Sequence, residues 1–70
     1  MPEIARFYGI VIRMVFGDHN LPHIHAEYAG QQARIDINTF AVFAGAIPPR
    51  ALGLAIEWAS IHRQELLDLR

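Results

Sequence analysis

Three of the four histidines in this chain fall within one stretch, Asp18-His19-Asn20-Leu21-Pro22-His23-Ile24-His25-Ala26-Glu27-Tyr28. An extended backbone from Pro22 onward sets His23, His25 and Glu27 on one face and Ile24, Ala26 and Tyr28 on the other, because strand side chains alternate. Two imidazoles in a His-x-His arrangement then stand roughly 6.5–7 Å apart along the backbone. That separation suits shared coordination of a divalent metal such as zinc. Asp18, His19 or Glu27 would add a third ligand, with Asp18, His23 and His25 the set of choice. The result is a His/carboxylate group of the kind catalytic metal sites use. No other cofactor is indicated.

The same residues allow acid–base hydrolysis without a metal. A histidine oriented by a nearby carboxylate exchanges protons near neutral pH, and His19, His23, His25 and Glu27 are the candidates. RNA is one substrate such a pair can cleave. Holding its phosphate would fall to Arg13 and Arg34 on neighbouring strands, since the stretch itself contains no Lys or Arg. No glycine-rich phosphate loop, nucleophile elbow or helical zinc-protease motif occurs. The bland alternative is that the imidazoles hydrogen-bond loop backbone or a carboxylate and simply hold the turn.

The elements that must position these groups read as α+β. Residues 6–16, rich in β-branched and aromatic types, predict a first strand with Tyr8, Ile10, Ile12, Met14 and Phe16 on the core face. Phe7, Gly9, Val11, Arg13 and Val15 then face outward. Turn formers from Gly17 to Pro22 lead to a second strand over 23–28. Ala29-Gly30-Gln31 is a hairpin turn with Gly30 free to take positive φ. A third strand over 32–38 buries Ala33, Ile35 and Ile37, and residues 40–44 are a candidate fourth.

Pro48-Pro49 opens one long helix over 49–69, where Pro49 gives up an N–H that has no intrahelical partner in any case. On a helical wheel Ala51, Ala55, Ala59, His62, Leu66 and Leu69 fall together, flanked by Leu52, Leu54, Trp58 and Ile61, with Gly53, Glu57, Ser60, Gln64 and Asp68 opposite. The expected architecture is an antiparallel meander of three or four strands with this helix across one face, in a single domain spanning residues 1–70. Which sheet face the helix covers decides where the histidines point. The alternation favours Ile24, Ala26 and Tyr28 as core, which turns His23 and His25 outward and leaves His62 apart as a buried core residue. Trp58, Tyr8, Phe7 and Phe43 read as core or interface side chains rather than a stacking platform for bases.

Composition bounds the function. A chain of 70 residues with 53% hydrophobic side chains and no cysteine has neither disulfides nor a thiolate metal site to stabilise it. So much apolar surface on so small a body suggests that a partner covers some of it, with a homo-oligomer the simplest case. The formal charge of -1 and six scattered arginines disfavour nucleic acid. Direct DNA binding would need dimerisation to align Arg6, Arg13 and Arg34. No secretory signal and no membrane span is read, so a cytoplasmic location is the expectation.

Phe7-Tyr8-Gly9-Ile10, Asp18-His19-Asn20, Pro22-His23-Ile24-His25 and Glu27-Tyr28, followed by Pro48-Pro49-Arg50-Ala51-Leu52, Glu57-Trp58-Ala59 and His62-Arg63-Gln64-Glu65-Leu66, carry a resemblance to the bacterial domain-of-unknown-function family 4160. The resemblance covers nearly the whole chain. Leu21 departs from it, standing where a proline commonly precedes Pro22, and so does Phe40, where a glycine commonly follows Thr39. It implies small stand-alone bacterial proteins without an established activity, some loosely labelled toxin–antitoxin components. Together with the apolar excess, it points first to an interaction or regulatory module acting as a homodimer or with a small protein partner. The His/carboxylate hydrolase is the alternative.

Overall fold

The computed structural model describes residues 3–14 and 22–69. Within them five antiparallel strands form one sheet in sequence order, β1 (Glu3–Phe7), β2 (Ile10–Met14), β3 (His23–Tyr28), β4 (Gln31–Asp36) and β5 (Val42–Gly45). Two helices, α1 (Pro49–Ile61) and α2 (Arg63–Leu69), follow. The α+β class and the meander are as expected, and the strand and helix counts are not.

The expected first strand is two strands. Tyr8 and Gly9 both take positive φ, 50° and 79°, and Phe7 pairs with Ile10. That is a two-residue hairpin loop of the kind whose twist matches the flanking strands. The reversal puts Phe7 on the helix side, where its ring stacks on Trp58 with centroids 6.2 Å apart. Tyr8 leaves the core face for the loop and is 81% exposed. Ile10, Ile12 and Met14 are fully buried as the alternation requires, while Val15 and Phe16 lie outside the described residues.

At the same end of the sheet Ala29 and Gly30, again both at positive φ, close the β3–β4 hairpin. Between β4 and β5 the Asp36 side chain organises the turn, its Oδ1 accepting from the backbone N–H of Asn38 at 2.7 Å and of Thr39 at 3.2 Å. Such Asx turns are why Asp and Asn recur where strands reverse. Phe40 sits at φ 62°, a left-handed conformation that glycine adopts at lower cost. It therefore belongs to the turn, and β5 starts later than the expected residue 40. Gly45, at φ 72°, has no room for a side chain, because a Cβ there would run into the Gln32 carbonyl oxygen. That carbonyl accepts from the Ala46 N–H at 2.9 Å and so seals the end of the sheet.

The core lies between one sheet face and the helices. Ile10, Ile12, Met14, Ile24, Ala26, Ala33, Ile35 and Ile37 meet Ala51, Ala55, Ala59 and Leu66. Small side chains at i, i+4 and i+8 let α1 lie close over β2 and β3. Gly53, Glu57, Ser60, Gln64 and Asp68 are all exposed, as the wheel predicts. The single long helix is interrupted at His62, whose backbone opens to φ -102°, ψ 12°. The interruption coincides with a tertiary contact. Arg63, the next residue, donates from Nε to the Ile37 carbonyl at 3.3 Å and from Nη2 to Asn38 Oδ1 at 3.1 Å, tying α2 to the β4–β5 turn.

Candidate functional site

With Ile24 and Ala26 fully buried under the helix, His23 and His25 point to the opposite, outer face of the sheet. Register builds that face row by row. His25 is paired with Arg13 on β2 and Arg34 on β4, so one imidazole lies between two guanidinium-bearing positions. One row along, Val11, Glu27 and Gln32 stand side by side, and in the other direction His23 pairs with Asp36. Neighbouring strands lie about 4.8 Å apart, so both arginines can reach a group held over His25.

The two imidazoles are neighbours, with ring centroids 5.3 Å apart, and Phe43 of β5 meets His23 edge-on at 5.1 Å. Both histidines are largely buried, His23 at 6% exposure and His25 at 7%. Burial, then the positive charges of Arg34, His23 and Arg13, hold His25 below the ordinary imidazole value. Each of these causes disfavours the charged ring. His25 is therefore neutral near pH 7 and can accept a proton.

The carboxylates are engaged elsewhere. Glu27 Oε2 accepts from Gln32 Nε2 at 2.9 Å, and no hydrogen bond joins Glu27 to His25. Asp36 is occupied by its turn. Strand alternation puts Asp36 on this face with Arg34; its role in the turn was the part sequence reasoning missed, although Asp-x-Asn-Thr was the signal for it. Among the described residues no three His, Asp or Glu side chains gather closely enough to hold a metal ion. Asp18 and His19 lie outside the described residues, so the set Asp18, His23 and His25 is represented only by its two histidines. Arg13 and Arg34 form no ion pair with any described carboxylate, whereas Arg6 is held by Glu3 through a 2.7 Å contact.

His62 is separate from this cluster. It stacks on Trp58 at 4.6 Å, and its Nδ1 lies 3.2 Å from Glu65 Oε1 on the helix surface. It is half-buried rather than a core residue, which corrects that expectation. The aromatic residues likewise divide between two faces, Phe7 and Trp58 under the helices and Phe43 beside His23.

One antiparallel sheet with helices on one face and an imidazole–arginine array on the other defines a small α+β protein. Residues 9–69 match the family model described as Domain of unknown function (DUF4160), and the chain belongs to that family. The chain matches no curated protein and no solved structure. No helix among the described residues is long and apolar enough to cross a membrane.

Proposed function

We propose that this protein is an interaction module, regulatory in its setting, that grips an acidic partner on the outer face of its sheet. The observation that carries this reading is the row Arg13–His25–Arg34, in which neither arginine forms an ion pair with a described carboxylate, Glu3 on β1 being the register neighbour that feels the charge of Arg13. Two guanidinium groups on adjacent strands offer paired, planar donors that match carboxylates or phosphates. Phe43, 47% exposed beside His23, adds an aromatic anchor at the edge of the same surface. A small protein partner or a second copy of the chain is the kind of occupant the family resemblance suggests.

A second reading, acid–base hydrolysis of a phosphodiester, is favoured by one specific feature. A neutral His25 beside His23 pairs a proton acceptor with a second imidazole, and Arg13 and Arg34 supply the phosphate contacts that the histidine stretch lacks. Both readings are tested by titrating the protein with an oligoglutamate peptide and with an oligouridylate, following backbone amide resonances and RNA integrity together. Oligoglutamate is expected to move the resonances of Arg13, His25 and Arg34, and an Arg13→Gln/Arg34→Gln double variant to lose the response. Cleavage of the oligouridylate that disappears in His25→Gln would instead establish the hydrolase. Resonances indifferent to both polyanions would overturn the outer face as the working surface.

A further inference from the structure

On the helix side, away from the histidines, the two hairpin ends and the start of α1 enclose a half-open cleft of ≈ 510 Å³. Its lining is Tyr8, Ile10, Tyr28, Pro48, Arg50, Ala51 and Leu54. The volume falls in the range of small-molecule sites, roughly 300–1,000 Å³. Ile10, Pro48, Ala51 and Leu54 make an apolar floor, Tyr8 and Tyr28 contribute two aromatic rings with hydroxyls, and Arg50 contributes the single charge. No acidic residue lines it. Neither phenol and no Arg50 nitrogen forms a hydrogen bond or ion pair with a described residue, so these groups are available.

Tyr8 is the unusual member. Its position at φ 50° in the hairpin loop suits Asn, Asp or Gly, and a residue with a Cβ is disfavoured there. At 81% exposure the ring recovers little of that cost by burial. A bulky ring kept in a strained, exposed position at the mouth of a cleft is the kind of outlier that points to function. Tyr28 lies against Gly9 at the same cleft, its Cε1 3.5 Å from where a Cβ would be, an ordinary van der Waals distance.

We propose that this cleft binds a small planar organic anion, its ring packed on Tyr8 and Tyr28 over the apolar floor and its carboxylate on Arg50. The site is distinct from the outer face and stands or falls independently of it. Indole-3-acetate is a suitable probe, with uncharged indole as the control, added to the full chain while backbone amides are followed by NMR. Saturable shifts confined to residues 8–10, 28 and 50–54 are expected, with indole binding at least about tenfold more weakly for want of the charged contact. Arg50→Gln should weaken the probe by a similar factor. Tyr8→Asn, which suits the loop and so keeps the fold, should weaken it as well. No saturable, localised shift up to about 10 mM probe, where even a ~1 mM Kd would be evident, would overturn the proposal. So would Arg50→Gln or Tyr8→Asn binding as tightly as the parent, or indole matching indole-3-acetate.

Discussion

Burial and three positively charged or chargeable neighbours act on one imidazole, that of His25. A base held below its ordinary value of 6.5 favours the fold in its neutral form. The unfolded chain then binds more protons wherever pH lies below that ordinary value. The contribution is complete above about 6.5 and is lost as pH falls through the lower folded value. The melting temperature should therefore hold between about pH 7 and 8 and begin to fall below about 6.5, ahead of the carboxylate range. Glu3, whose carboxylate is held down first by its hydrogen bond from Arg6, acts only below its ordinary 4.5. The two windows are thus separable. A proton NMR titration of the His25 ring should give a midpoint below 6.5, and His25→Gln should flatten the early part of the stability decline. A midpoint at or above 6.5 would contradict the charge arrangement described for this face.

The helix α1 depends on its alanines more than on its larger side chains. Ala55 and Ala59 are fully buried, and any larger side chain there would have to push the helix off β2 and β3. Ala55→Leu should cost about 1–3 kcal/mol despite being more hydrophobic, a drop in melting temperature of roughly 4–8 °C per kcal/mol for a domain of this size. Ile61→Ala, at 70% exposure, is the matched control and should change little. The alanine stripe and the exposed opposite arc were legible from helical periodicity. The interruption at His62 was not; it coincides with Arg63 reaching residues of the β4–β5 turn more than twenty positions away. The first hairpin was missed for a different reason. Its loop is Tyr-Gly inside a β-branched run, and only Gly9 marked the reversal.

For the molecule as a whole, most of the apolar excess is absorbed in folding. The strands contribute seven fully or nearly fully buried core side chains to one layer and Ile37, just past β4, adds another, while the half-buried Leu52, Leu54, Ile56, Trp58 and Leu67 fringe the helices against it. Among the described residues the large apolar groups left at the surface are Tyr8, Val42, Phe43 and Ile61. Two of these, Val42 and Phe43, lie on β5 at the edge of the sheet, where unpaired backbone groups can template another strand. Self-association, where it occurs, should run through this edge. Sedimentation velocity at rising concentration is expected to show a dimer that Val42→Lys weakens by at least about tenfold, because an edge lysine opposes strand pairing. A dimer unaffected by Val42→Lys would move the contact to another surface, and a monomer at every concentration would leave the apolar excess to the core alone.

Local pattern was enough for the α+β class, the order of most elements, the hairpin at Ala29-Gly30 and the outward turn of His23 and His25. Each follows from alternation or periodicity within a few residues. The neighbours of those histidines follow from strand register, which no local pattern states. Register set Arg13 and Arg34 on either side of His25 and gave Glu27 to Gln32, while Asp36 went to its own turn. The cleft between Tyr8, Tyr28 and Arg50 has the same origin. Its walls come from three distant segments, and only their packing brings two rings and one charge around a common space.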